Sequence, residues 1–473
     1  MRSNNLFQIE EGDFVLAKYC WDQRRAKLIA VTVALAIPLL RMSRAAGVDD
    51  ELGFRYGSYN EDDNRINVTT ETAAFNIGLS DHVRLTGNVV VDSISGATPT
   101  GAPPQTKWPF PTYNNYYQSS YQSAYGNQYS QFISQNQIYV DAGLITFNQL
   151  TNGAAAYAQQ TAPPIATNNA NASFQTLTNN PNYRKGIVPL THMHDHRDAF
   201  AFQMPITLGL HQITPSFSHS AESDYISFGG ALNYSLSFND KNTIVSAGWA
   251  ITKDSVRNDV FKWVPKTTDD IFLGLVQLVS PTAYLTANLS LGFSGGYLAD
   301  PYRSVMFANV LQNDPSDAAL YPEKRPSHRN SETLYTSWTQ FVTPANGSYE
   351  LSYRFFHDSY GIIANTAAIT WNQKIGKHLV ISPMFRYSIQ NAADFYYVLV
   401  PDSNNKPTFY SSDYRLSEME TFATGVTITW KVTKHLAMDA SYSRYVMRGL
   451  DNVTSQSAYP SANIFSLGGR VYF

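Results

Sequence analysis

The sequence predicts an all-β fold: a transmembrane, antiparallel, up-and-down β-barrel of about sixteen strands with long extracellular loops. Three observations carry that reading. Period-two hydrophobic alternation runs almost from end to end. The connectors between alternating segments switch regularly between tight turns and long loops. Finally, the terminal stretch SANIFSLGGRVYF keeps its alternation to the last residue. Phe465, Leu467, Val471 and Phe473 share one parity, and Ser466, Gly468, Arg470 and Tyr472 share the other. A closed barrel needs such a last strand, because lipid offers no hydrogen-bond partner to an open sheet edge.

Composition allows this and excludes rivals. Charged residues are 15% and aromatics 14%, with 31 Tyr against 7 Trp, and the mean hydropathy is −0.27. Beyond one N-terminal segment no run of about 18 apolar residues occurs, which excludes a helical membrane protein. A hydrophobic content of 43% gives ample surface to bury and argues against disorder.

The N-terminal segment RRAKLIAVTVALAIPLLRMSRAAG joins a basic cluster, Arg24, Arg25 and Lys27, to an apolar core from Leu28 to Leu40 and then small residues. Residues 1–45 are expected to be a secretory signal peptide with an N-terminal extension, and 46–473 the barrel. Removing 1–45 takes away Cys20, the only cysteine, with seven of 34 Lys+Arg and four of 37 Asp+Glu. The remainder carries 27 cations against 33 anions, a net charge of −6. Disulfides and thiol chemistry are thereby excluded, and nucleic acid is not an expected partner.

In chain order, strands are expected near 51–58, 64–79, 82–93, 197–209, 211–222, 224–238, 241–254, 268–280, 282–299, 332–342, 347–357, 361–374, 377–390, 418–432, 434–447 and 461–473. The pattern is plainest in DYISFGGALNYSLSFND. There Ile226, Phe228, Leu232, Tyr234, Leu236 and Phe238 face one way, and small residues such as Ser227, Asn233 and Ser235 the other. HVRLTGNVVVD and ATGVTITW repeat it. The second strand is weaker, since its apolar parity slips between Val68 and Phe75, and a bulge there is the expected cause.

Tight turns fall at Ser80-Asp81, Asp240-Lys241, Ser280-Pro281, Pro344 to Asn346, Gly376 and Thr433. The intervening connectors are longer, the largest being 94–196. Short turns on one side and long loops on the other are the mark of an outer-membrane barrel, and an even count sets both ends of the barrel on the periplasmic side. Fourteen or eighteen strands remain open alternatives.

Within the longest loop, Tyr113, Tyr117, Tyr121, Tyr125 and Tyr129 recur every four residues, with Ile133 next. That spacing stacks one face of a helix. Gly126 and middling propensity mean that such a helix needs packing to persist. A fold-back into the lumen as a plug is one expectation, and a loop outside the barrel the other.

Several stretches resemble an uncharacterised bacterial outer-membrane β-barrel family, the domain-of-unknown-function family DUF3570. They are DSISGATPTGAPP (92–104), DHRDAF (195–200), SAESDYISFGGALNYSLSFNDKNTIVSAGW (220–249) and GYLADPYR (296–303). The resemblance implies the fold and carries no activity or site to transfer.

Charges at inward parity set the field of a pore. Arg84, Asp92, Glu350, Arg354, Arg386, Lys431 and Asp439 are the expected lumen-lining set. THMHDHRD offers a candidate metal set, since His192, His194 and His196 project to one side of an extended segment beside Asp195 and Asp198. Alternating ligands on one strand usually need a second element to complete a metal shell, so the bland alternative is a polar strand at the rim. GFSGG matches G-x-S-x-G around Ser294 but lacks the strand-turn-helix context of a nucleophile. The acids of NEDDN, Glu222 with Asp224, and Asp269-Asp270 are candidate Ca²⁺ or Mg²⁺ ligands near lipopolysaccharide, or simply solvated carboxylates.

No resident cofactor and no enzymatic activity are expected, a divalent metal at the histidines apart. The expected function is a porin-like barrel in the bacterial outer membrane passing small hydrophilic solutes or ions. Its expected partners are membrane lipids, lipopolysaccharide and the barrel assembly machinery. The alternative is a barrel serving as scaffold or sheath for an electron-transfer or secretion partner from the periplasm or envelope. An outer-membrane enzyme ranks third.

Overall fold

The computed structural model describes residues 50–101, 113–178, 190–307, 319–400 and 406–473. The expected leader, 1–45, lies outside the described residues.

Sixteen antiparallel strands close into a ring. They are β1 (Glu51–Glu61), β2 (Asn67–Gly78), β3 (Arg84–Pro99), β4 (Leu190–Gln203, continued by Ile206–Leu208), β5 (His211–Ala221), β6 (Tyr225–Phe238), β7 (Thr243–Arg257) and β8 (Trp263–Ser280). The second half comprises β9 (Ala283–Gly296), β10 (His328–Val342), β11 (Gly347–Asp358), β12 (Ile363–Ile375), β13 (Leu379–Gln390), β14 (Met419–Lys431), β15 (Leu436–Gly449) and β16 (Ser461–Tyr472). Each strand pairs with its sequence neighbours. The ring closes where β1 meets β16, from Glu51 opposite Tyr472 to Glu61 opposite Ala462. Pro205, with no N–H to give, marks the break inside β4.

Direct cross-strand partners share a face, so one outward residue assigns its row. Leu232 lies opposite Trp249, and Trp249 opposite Ile271. All three are exposed, as are Leu351, Ile369, Phe385, Ile428, Tyr442 and Leu467 on other strands. A continuous exposed apolar belt of this extent is untenable in water and is what hydrocarbon requires. The protein is therefore an outer-membrane barrel. The opposite face carries hydroxyl pairs across the strands. Ser235 and Ser246 Oγ are 2.8 Å apart, Thr366 and Ser388 2.8 Å, and Ser441 and Ser466 2.7 Å.

The bulge expected in β2 is absent. β2 pairs residue for residue with both β1 and β3. Its apolar parity slips for a different reason: Val68 faces the lumen, while Phe75 and Ile77 lie outward against Leu52, Leu85 and Phe202. A register shift occurs instead between Ala283 and Tyr284.

β3 runs on to Pro99 and β4 begins at Leu190, so the longest connection is 100–189. It contains two helices, α1 (Tyr113–Asp141) and α2 (Phe147–Thr178). They form an antiparallel hairpin in which Phe132 meets Tyr157 at 5.3 Å and Thr161 Oγ1 lies 3.4 Å from Gln128 Oε1. Along α2, Ala154, Ala158, Ala162, Ala166 and Ala170 are all wholly buried. On α1, the rings of Tyr117, Tyr121, Tyr125 and Tyr129 follow one another at 6.1–6.3 Å.

Candidate functional site

The site is the barrel interior and the loops across its outer mouth. Strand register places Arg84, Asp92, Glu350, Arg354, Arg386, Lys431 and Asp439 on inward-facing rows. Most have partners there. Arg84 Nε donates to Asn76 Oδ1 at 3.0 Å and its guanidinium faces Asp50. Asp92 takes Arg197 Nε at 2.6 Å. Asp439 accepts from Arg55 at 2.9 Å with Arg470 beyond it. Glu350 accepts from Tyr335 Oη at 3.2 Å. Arg354 and Arg386 differ. Each is the eighth residue of a twelve-residue strand, near mid-span. Among the described residues neither has a carboxylate in ion-pair range. Arg354 lies over the Phe356 ring, 5.7 Å from its centroid.

The facing arc of wall, from β3 to β7, carries its own inward charges, Arg84, Asp92 and Arg197 among them, but also an uncharged stretch. A recess of about 260 Å³ there is lined by Thr86, Asn88, Ser216, Ser218, Gly229 and Ala231 among others, with no charge.

The candidate metal set does not converge. His192, His194 and His196 lie on the outward row of β4, where His196 Nε2 reaches Asp198 at 3.2 Å, and Asp195 lies on the inward row. Ser294, in GFSGG, sits inside β9 with its hydroxyl 3.1 Å from Thr268. Of the other candidate acids, Asp62 is held by Arg444, and Asp269 accepts from Trp249 at 3.2 Å. That pairing holds the Asp62 carboxyl below the usual range.

Sequence reasoning missed the construction of the mouth. Residues 297–307, which follow β9, cross to β3, six strands away in the ring of sixteen. There Arg303 donates to Thr98 Oγ1 at 3.1 Å, and Ser304 N donates to Thr100 O at 2.9 Å. Thr98 belongs to the inward row of β3, so the segment passes inside the ring. Ser304–Phe307 pairs with Ala319–Pro322 and, in parallel, with Leu399–Val400 of the β13–β14 loop. Phe307 is wholly buried, edge-on to Tyr321 and Tyr410 at 5.0 and 4.8 Å. Gly101 (φ +86°) lies so close that a Cβ would come within 2.6 Å of Ser412 Oγ.

An ion-pair knot fastens these loops. Asp413, 1% exposed, receives Arg325 at 2.8 Å and Arg415 at 2.5 Å, with Arg303 3.9 Å away. Arg325 also pairs with Glu323 at 2.7 Å, and Arg415 with Asp300 at 2.5 Å. Three guanidiniums thus face three carboxylates, all but Arg415 and Asp300 deeply buried. Burial by itself raises the Asp413 carboxyl, but the three arginines outweigh it and hold the group well below the ordinary carboxylate range. Burial dominates at Glu323 and pushes it up, against the pull of Arg325. Further bonds tie in the β15–β16 loop: Ser417 to Tyr459 Oη at 2.6 Å, and Tyr396 Oη to Thr454 at 2.6 Å. Arg65, from the β1–β2 loop, donates to Ser457 O at 2.8 Å. The outcome is a roof inside the outer rim. Its one sequence signal was charge density: PEKRPSHR and DYRLSEME stand out in a chain that is 15% charged.

At the roof's far edge, Tyr302 Oη donates to Asp224 in the β5–β6 loop. Glu222 of that loop is pushed up by burial and further by Asp195, Asp224 and Asp92, with Arg197 opposing.

A sixteen-strand closed barrel with an apolar belt and a hydroxyl-lined interior defines the class: an outer-membrane β-barrel protein. The family described as "Protein of unknown function (DUF3570)" matches residues 26–262 and 261–465, and the chain belongs to that family. The comparison with curated proteins finds no match. Solved structures it is similar to include CdiB from Acinetobacter baumannii, at 7% identity and a TM-score of 0.41. That alignment covers 90% of this chain and 60% of that one. A bacterial polysaccharide outer membrane secretin aligns at 8% identity over 90% of this chain and 98% of the other, TM-score 0.41. A BenF-like porin from Pseudomonas fluorescens Pf-5 aligns at 7%, with the same coverages and a TM-score of 0.38.

Proposed function

We propose that the barrel is a porin-like conduit for small hydrophilic solutes or ions, narrowed at its outer mouth by the roof. The observation that carries this is the inner wall: hydroxyls, glycine and paired charges, with Arg354 and Arg386 left unneutralised near mid-span. Unpaired guanidiniums in a narrow aqueous passage raise the local anion concentration. Purified full chain in planar bilayers is the test. Ion conductance with anion preference, shifted toward cations in Arg354→Ala/Arg386→Ala, is the expected result; a silent barrel overturns the reading.

The roof also favours the second reading, a barrel acting as scaffold or sheath for an envelope partner. A variant with a loosened roof separates the two, because a conduit then conducts more and a filled sheath stays closed. The α1–α2 hairpin is the other element proposed to narrow the passage. α1 needs packing to persist, and contacts with α2 supply part of it. Replacing 113–178 by a short linker should raise conductance severalfold if the hairpin lies in the lumen, and leave it unchanged if the hairpin stands clear.

A further inference from the structure

We infer that Arg354 and Arg386 together hold a small dicarboxylate, one carboxylate on each guanidinium, on the inner wall just beneath the roof. The inference rests on the conduit reading and names the class of solute that the passage selects.

Strand register sets the two arginines at opposite corners of a block of six inward positions. Arg354 stands opposite Thr366, and Thr366 opposite Ser388. One inward step nearer the periplasm, Ser352 stands opposite Ala368, and Ala368 opposite Arg386. The arginines are thus two strands and two residues apart, a Cα separation of about 12 Å at about 4.8 Å between strands and 3.4 Å per residue. The other four positions are small, so no bulky side chain of the block stands between them. Thr366 and Ser388 share one hydrogen bond of 2.8 Å, which leaves one of their two hydroxyl protons free for a ligand.

Both arginines are exposed. The inward carboxylates on the strand of Arg354 are engaged elsewhere: Asp358 takes Arg329 at 2.7 Å, and Glu350 accepts from Tyr335 on β10. A guanidinium matches a whole carboxylate through two parallel N–H···O bonds. The two heads are also held apart. Arg354 is drawn toward the outer rim, over the Phe356 ring, while Arg386 stands one step toward the periplasm. With charge-assisted bonds of about 2.8 Å at each end, the gap suits a diacid of roughly four or five carbons rather than one shared anion. Phe356 itself packs against the roof cluster that contains Phe395 and Leu416. A solute that has passed the roof therefore meets Arg354 directly below it.

The test reads equilibrium binding, separately from conduction. Full chain in detergent micelles at low chloride is titrated calorimetrically with glutarate and with its monomethyl ester. The native barrel should bind the diacid at least tenfold more tightly, a comparison that needs no variant. Arg354→Ala and Arg386→Ala should each abolish that preference by weakening glutarate to the level of the ester. Arg386→Lys should lose most of it as well, since an ammonium keeps the charge without the paired bonds. Equal affinity for the two ligands in the native barrel would overturn the inference. So would variants that weaken both ligands in parallel, because a diffuse positive field does not distinguish one carboxylate from two. A barrel silent in bilayers that keeps the preference retains the site and overturns conduction; a conducting barrel without the preference does the reverse.

Discussion

Two insertions rise from the outer rim of this barrel, and they are stabilised in opposite ways. The described roof, 297–307 and 319–327 with 391–400 and 406–418, is short in regular structure, rich in charge, and bonded to strands far round the ring. The α1–α2 hairpin is almost entirely regular. From Tyr113 to Thr178 it contains one charged residue, Asp141, and its buried seam is alanine against a neighbouring helix. The roof depends on the barrel to hold its parts in register, whereas the hairpin carries its own packing. Removing one interaction should therefore propagate differently in the two.

The largest effect is expected at Asp413. Asp413→Asn leaves Arg303 and Arg325 buried, and Arg415 part-exposed, around a neutral group, and breaking a buried pair costs about 3–5 kcal/mol. The roof should loosen, seen as faster loop proteolysis and higher conductance, while the strands keep their melting temperature. If proteolysis and conductance match the native protein, the knot is not what holds the roof. A smaller effect is expected in the hairpin. Ala162→Leu overpacks a wholly buried position, which costs about 1–3 kcal/mol. Helical circular dichroism should melt earlier, with no change in roof proteolysis; a coupled loss would show that the two insertions support each other.

The smallest effect is that of mild acid. Asp413 has a depressed value in the fold, so its contribution is fully present above its unfolded value of about 3.9. It is lost only as pH falls through the lower folded value. Glu323 has a raised value, so what it contributes is fully present below about 4.3 and is lost as pH rises through its folded value. Between neutrality and about pH 4, Asp413 gives no reason for the roof to open, and the hairpin has almost nothing to titrate. Proteolysis of 297–327 should not accelerate over that range, and should accelerate below it. Acceleration at pH 5 to 6 would assign control to another group.

The same contrast explains what was legible in the sequence. Strands declare themselves by local period, so β6, β11 and β16 could be bounded within a few residues, and inward parity followed for Arg354 and Asp439. The helical register of Tyr117 to Tyr129 is equally local. The roof has no period. Arg325 meets Asp413 across 88 positions, and Arg303 meets Thr98 across 205, so neither partner marks the other in the chain. Asp195 was misleading for a related reason: it adjoins three histidines in sequence, yet the pleat turns it away from them and toward Glu222.

The seam between β1 and β16 has a kinetic consequence. Every other strand pairing in the ring joins neighbours in the chain, which can zip as successive hairpins. The seam alone joins Glu51 to Tyr472, and Phe473 N donates to Asp50 O at 3.0 Å at its foot. Until it forms, the growing sheet exposes two long edges, each a template for pairing with another chain. Assembly therefore has a committed last step, and the hazard of wrong pairing is greatest just before it. Substitutions along β1 and β16 should act mainly on the rate of that step, while equally large changes in β6 or β11 act on the stability of the wall already built.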